Sequence, residues 1–306
     1  MNSINSVARS ADIFCPKACK GRKAMKLAAT VINEHLTLVR PEIHDWGAFF
    51  FWAQDEGWRV LPPEASLFRG PLSGWAFALR CDGQTCGFVT AVPYPDFAWI
   101  GNLIITPEMR GRGLGSQLFD RICDNIRKTG IDTIWLAASD QGKPLYSSRG
   151  FRECDRVERW QMFIPAHHRN YAPNLPDALD ALCKADRQAW ATDRRMVLQY
   201  LATGGEIIRT AKSIALVQNY GAIKVLGPWL AMEDTTREHA AIILGATRAG
   251  GGGTLQTDIL ASSGAGALLE DCGFSRCGDC ALMVAGPTTP KPPDGAVALA
   301  SLGSLG

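Results

Sequence analysis

The sequence predicts an α/β (α+β) protein of two tandem domains, each a mixed, mostly antiparallel twisted sheet flanked by helices. Three observations predict it. At 306 residues the chain is long for one ordinary domain and comfortable for two. Strand-like and amphipathic helical runs alternate in the first half, with an antiparallel front and a βαβ back. After the break "PAHHRNYAPNLP" at 165–176 the same order returns more faintly.

The elements of the first half follow in order. "HLTLVR" alternates as a strand, and Pro41 opens a helix whose apolar positions Trp46, Phe49, Phe50, Trp52 and Ala53 recur at helical spacing. "GWAFALRC" and "TCGFVTAVPY" read as strands about the turn "DGQ", followed by a third, "FAWIGNLIIT". A helix from Leu114 to Lys128, a strand "TIWLAAS", a helical turn in "PLYSSRG" and a strand in "FRECDRVERWQMF" complete the unit. In the second half "RRMVLQYLATGG" predicts helix, "EIIRTAKSIALVQNYGAIKVLGPWLA" several strands, "TREHAAIILGATRAGG" a helix and "GALLEDCGF" a helix entering a last strand.

The halves superpose as sequences. Gly101 to Gly150 and Gly227 to Gly273 lie 49 and 46 residues apart, each run starting in a strand and ending in a helix followed by Gly-Phe. The expected boundaries are a disordered segment 1–33, a first domain 34–165, a linker 166–180, a degenerate second domain 181–286 and a disordered tail 287–306 rich in proline, glycine and small residues.

Composition excludes several functions. With 32 basic and 30 acidic side chains, the charge of +2 lacks the one-signed field of a nucleic-acid-binding protein. The basic cluster Lys17, Lys20, Arg22, Lys23 and Lys26 reads as a solvated tail, and Met25 is an alternative start. Ten cysteines, among them Cys81, Cys86, Cys123 and Cys154, fall singly within apolar segments, as reduced cytoplasmic thiols do. No apolar run reaches transmembrane length, and the first thirty residues lack a secretory core. The expectation is a cytoplasmic monomer or homodimer with no membrane and no nucleic-acid partner.

The chemistry concentrates in "ITPEMRGRGLG", 105–115, between a strand and a helix. A helix start carries unpaired N–H groups and a positive dipole end, and glycines let the backbone close on an anion. Arg110 and Arg112 add charge, so Gly111 to Gly115 are predicted to hold a phosphate or pyrophosphate. The Walker Gly-Lys-Ser/Thr is absent, and the two-residue glycine spacing does not fit a dinucleotide fingerprint.

"LIITPEMRGRGLGSQLF" resembles the acetyl-CoA signature of the GNAT superfamily of N-acyltransferases, Arg/Gln-x-x-Gly-x-Gly/Ala, with Arg110, Gly113 and Gly115 in the defining positions. "LYSSRGF" resembles its Leu-Tyr-x-x-x-Gly-Phe junction, and the whole chain resembles a tandem-GNAT branch with a degenerate C-terminal GNAT-like domain. The resemblance implies acetyl-CoA as acyl donor, no metal, and a small-molecule primary amine as acceptor. It implies that main-chain groups of Leu103 and Ile105 pair with the pantetheine arm and that the N–H of Ile104 or Ile105 polarises the thioester carbonyl. Arg110, Gly111, Arg112, Gly113, Leu114, Gly115 and Ser116 would hold the pyrophosphate, and Tyr146 would protonate the leaving thiolate.

Two departures stand out: Ser139 occupies the place of the superfamily's asparagine, and Leu269 falls where the second half would carry the tyrosine. One acetyl-CoA site per chain is therefore expected, with the second domain forming one wall of the acceptor pocket. His44, Asp45, Asp96 and Asp193 are the candidate general bases. Of the aromatics Trp46, Phe49, Phe50, Phe51, Trp52 and Trp58 in and after the first helix, most read as core by periodicity and a few as candidates for the acceptor floor. Cys277 and Cys280 lack the further ligands of a zinc site and read as structural thiols. Two alternatives to acetyl transfer are an acyl-CoA sensor without turnover and a GNAT-fold enzyme with other acyl-CoA chemistry, such as decarboxylation.

Overall fold

The computed structural model describes residues 30–32, 35–166, 176–233, 236–249, 251–287 and 291–306. The first half runs β1 (Thr30–Val31), β2 (Leu36–Val39), α1 (Ile43–Asp55), α2 (Pro62–Arg69), β3 (Ala76–Cys81), β4 (Gln84–Pro93), β5 (Ala98–Ile105), α3 (Leu114–Arg127), β6 (Ile134–Ala138), α4 (Lys143–Ser147) and β7 (Arg152–Ile164). The second runs α5 (Pro176–Trp190), α6 (Arg195–Leu201), β8 (Glu206–Arg209), β9 (Ser213–Tyr220), β10 (Ile223–Ala231), α7 (Thr236–Arg248), β11 (Gly253–Leu260), α8 (Gly266–Asp271), β12 (Ser275–Ala285) and β13 (Ala296–Ala298).

Each element follows from local sequence. In α3 the residues Leu114, Leu118, Phe119, Ile122 and Ile126 form one buried stripe on the sheet. In α1, Trp46, Phe49 and Ala53 cover the opposite face, and Phe49 stacks on Phe88 at 4.4 Å. Pro62 and Pro63 start α2, an element without a counterpart in the sequence reading, because their missing N–H groups fall where a helix start needs none.

Among the described residues the thirteen strands join one sheet, in the order β1-β2-β3-β4-β5-β6-β12-β7-β11-β13-β10-β9-β8. At its centre the halves exchange strands. β12 pairs antiparallel with β6, Ala281–Ala285 against Ile134–Ala138, while β7 lies along the whole of β11. A division at 166–180 would assign β7 and β12 to separate sheets, yet each borders the other half and the two pair with each other.

The internal repeat is visible in the geometry. β5 and β6 pair in parallel over Ala98–Ile100 only, and β10 and β11 over Ile223–Val225 only; beyond these points each pair diverges. Gly150 and Gly273 both adopt positive φ after a short helix, and the following Phe151 and Phe274 donate back to Tyr146 O and Leu269 O. In the second half the divergence is filled by β13, which pairs with Trp229 and Leu230 on one side and Ile259 on the other. In the first half it is open.

The tail expected to be disordered from 287 therefore contains a core strand. The alternating small apolar run "AVALA" is buried throughout, and Leu299, Ala300 and Leu305 are fully enclosed. From β13 the chain crosses to the first half, where Tyr94 Oη donates to Leu305 O at 2.6 Å and Trp99 Nε1 to Gly303 O at 3.0 Å. Of the expected linker, 167–175 lie outside the described residues and α5 begins at Pro176; His167 and His168 and the segment 1–29 are also outside them.

Candidate active site

The open divergence of β5 from β6 is a cleft of about 700 Å³. One end is the glycine corner. Gly111 and Gly113 adopt φ of +75° and +76°, a region costly for residues with a Cβ, and Gly113 caps α3 without a side-chain acceptor. Gln117 N–H is the first to donate within the helix, to Gly113 O, which leaves the N–H groups of Leu114, Gly115 and Ser116 at a helix start with no acid in its first turn. Arg110 braces the corner: Nε donates to Ile105 O at 3.0 Å and Nη2 to Glu56.

The middle of the cleft is formed by Leu103, Ile104 and Ile105 of β5. The strand is broken by Asn102, whose φ of +55° shifts the pairing with β4 between Phe88 and Thr90. This irregularity turns β5 away from β6.

Tyr146 stands on the α4 side of the cleft, packed on Phe119 at 4.9 Å between centroids, with a hydroxyl that has no hydrogen-bond partner among the described residues. Burial, and secondarily Cys123, pushes its phenol well above the ordinary value, so it stays protonated. Ser139 lines the same side and its Oγ accepts from Gly142 N–H at 3.2 Å. Arg112 does not line the cleft; it donates to Glu108 O from the surface.

The far end is built from both halves. Arg159 on β7 holds Asp258 on β11 through two hydrogen bonds of 2.8 and 2.7 Å, and also donates to Leu302 O at 3.0 Å. Cys277 and Cys280 of β12 and Gly303 and Ser304 of the C-terminal segment close this end, with Trp58 from the α1–α2 connection. Burial raises both thiols, Cys280 to about 12, so neither is a thiolate. Among the described residues no group of three His, Cys, Asp or Glu side chains is placed to hold a metal ion.

None of the four candidate bases lines the cleft. Asp45 is enclosed by Arg80, Thr85 and the Glu42 N–H, a structural knot with α1's capping box. His44 lies exposed beside Glu42, Asp96 accepts from Thr192, and Asp193 pairs with Arg187. Four carboxyls do line the cleft: Glu56, Asp258 and Asp279 are paired with arginines, whereas Glu64, 4 % exposed and not among the expected site residues, has no cationic partner among the described residues. In "LPPEASLF" it looks like any acid in a helix's first turn; only the fold turns it inward.

This architecture is that of tandem GNAT proteins. A tandem GNAT protein from the clavulanic acid biosynthesis pathway superposes with a TM-score of 0.55 at 14% identity, covering 83% of this chain and 100% of that one. A Pyrococcus horikoshii protein solved as a candidate acetyltransferase superposes at 0.71, with 22% identity over 89% of this chain and 96% of its own. The sequence profile of the acetyltransferase (GNAT) family matches residues 39–151, and the chain carries a GNAT acetyltransferase domain and is an acyltransferase. It is similar to the [ribosomal protein bS18]-alanine N-acetyltransferase of Escherichia coli K12, 29% identical over 112 residues, which is 36% of this chain and 68% of that protein. No helix among the described residues is long and apolar enough to cross a membrane.

Proposed function

We propose that the protein transfers an acetyl group from acetyl-CoA to the primary amine of a small molecule. The observation that carries this reading is the open divergence of β5 and β6, running from the amide-rich start of α3 to the Tyr146 hydroxyl. The donor supplies a thioester carbonyl and a thiol leaving group. Free N–H groups at Leu114, Gly115 and Ser116, with Gly111 and Gly113, suit a pyrophosphate, and Arg110 holds that corner rigid. Main-chain groups of Leu103 and Ile105 run along the side of β5 that β6 leaves unpaired, where an extended pantetheine arm fits as a strand does. The N–H of Ile104 or Ile105 polarises the carbonyl, and the protonated Tyr146 gives its proton to the departing thiolate.

A small acceptor is favoured because β12 and residues 302–304 wall the cleft's far end. We place the enzyme in the cytoplasm on the eight cysteines that are free among the described residues. The test is thermal denaturation with and without acetyl-CoA, beside Gly113→Glu. A rise in Tm in the parent that is absent in the variant supports the reading, and no rise at saturating acetyl-CoA overturns it.

A further inference from the structure

Glu64 is a carboxyl with no cationic partner among the described residues, and it lines the cleft from α2. Its Oε1 accepts from Asn102 Nδ2 at 2.8 Å, and the same amide donates to Thr90 Oγ1 at 3.1 Å. The Leu61 N–H also reaches the carboxylate. Against it stands Ser304 of the C-terminal segment, 4 % exposed, whose Oγ faces Glu64 but closes no hydrogen bond. The approach is close by design: a Cβ on Gly101 would lie 2.8 Å from Ser304 Cα, so glycine alone admits the segment here. From the second half the titratable group near Glu64 is Tyr220, itself raised by burial.

A buried carboxylate flanked by amide donors and an unpartnered hydroxyl, but by no cation, is unfavourable until a cation arrives. A primary ammonium supplies the charge and three donors. We propose that Glu64, with Asn102 and Ser304, is the site that receives the acceptor's primary ammonium and takes a proton from it. This rests on the acetyltransferase reading above. The ammonium loses two protons in all. One passes to the Glu64 carboxylate, freeing the nitrogen lone pair, and leaves to solvent along the cleft. The nitrogen then forms the C–N bond as the C–S bond breaks. The thiolate takes the Tyr146 proton, and the second N–H proton restores Tyr146. Burial raises the Glu64 carboxyl above its ordinary value, with Asn102, Ser304 and Leu61 offsetting only part, which brings it nearer to the amine it must deprotonate.

The test uses the full chain with carboxyl-labelled glutamate, ethylammonium as the probe and tetramethylammonium as the control. The Glu64 resonance is identified by its loss in Glu64→Gln. Ethylammonium should shift that resonance and lower its titration midpoint, while tetramethylammonium should not; an unmoved resonance overturns the site. Glu64→Gln should also keep the acetyl-CoA rise in Tm yet lose amine-dependent thiol release by about 10²–10³-fold, with Glu64→Asp recovering part of it. Release by the Gln variant within about three-fold of the parent overturns the catalytic role. If the parent itself shows no acetyl-CoA rise in Tm, the acetyltransferase reading falls, whereas the resonance still reports on the ammonium site.

Discussion

Asn102 Nδ2 donates to Glu64 Oε1 at 2.8 Å, and Asn102 is also the residue whose positive φ of +55° breaks β5. One residue therefore opens the cleft and fixes the carboxyl that faces it. Asparagine suits both tasks, since it tolerates the left-handed region better than most residues and carries an amide donor. The corresponding break in β10 is at Gly227–Pro228, which has no such side chain, and the divergence there is filled by β13.

Replacing Asn102 by Asp keeps the shape and swaps a donor for a second carboxyl. Two close carboxyls disfavour the ionised pair, so Glu64 should ionise at higher pH. Thiol release at pH 7 should fall by about ten-fold and recover toward alkaline pH. The pH–rate profile of Asn102→Asp against the parent measures the displacement.

Tyr146→Phe removes one hydroxyl from a position packed by Phe119 and Phe151. The hydroxyl has no partner among the described residues, so the fold should keep its stability within about 1 kcal/mol. The expected loss is in kcat, about 10- to 100-fold, with acetyl-CoA affinity held within a few-fold. Steady-state kinetics with a parallel binding titration separates the two; unchanged kcat would assign Tyr146 to packing alone.

The cleft's first part was legible because local sequence builds it: a strand, an αL glycine corner and a helix are contiguous from Ala98 to Arg127. Its second part was not. Glu64, Arg159, Asp258 and Ser304 come from four separate elements, and their meeting depends on the exchange of β7 and β12 and on β13. Asp45 shows the converse. Its place near the first helix suggested a base, yet Arg80 and Thr85, far along the chain, together with the Glu42 N–H engage both of its oxygens. The tail misled through composition: "PTTPKPPDG" reads as disorder, while "AVALA" is too short to announce a strand that two diverging neighbours complete.

Two glycines test two different constraints. At Gly113 a Cβ meets nothing within 4 Å, so Gly113→Ala costs only the left-handed backbone, about 1 kcal/mol. At Gly227 a Cβ would sit 2.0 Å from Leu299 O, so Gly227→Ala must displace the chain that follows β13. That should cost about 3 kcal/mol or more and weaken the far wall of the cleft. Denaturant unfolding gives both stabilities.

Two buried carboxyls should give stability opposite responses to pH. Asp45 is crowded by burial, but Arg80, the Glu42 N–H and Thr85 outweigh it and hold the carboxyl below its ordinary value. A depressed folded value means that its stabilisation is present above the ordinary carboxylate range and is lost as pH falls through the folded value. Asp45→Asn should therefore cost about 2–3 kcal/mol at pH 7, leaving Arg80 with only its longer contact to Glu42, and little at pH 2. Glu64 is raised by burial, so the folded state holds its proton longer than the unfolded chain does. Stability from this group is full below the ordinary carboxylate range and is lost as pH rises through the folded value. Glu64→Gln removes that loss, and the variant should equal the parent at acid pH and exceed it by about 1 kcal/mol or more at pH 8. Urea unfolding of parent, Asp45→Asn and Glu64→Gln from pH 3 to pH 9 measures both curves. A Glu64→Gln variant less stable than the parent at pH 8 would show that the carboxylate is there to hold α2, not to wait for a cation.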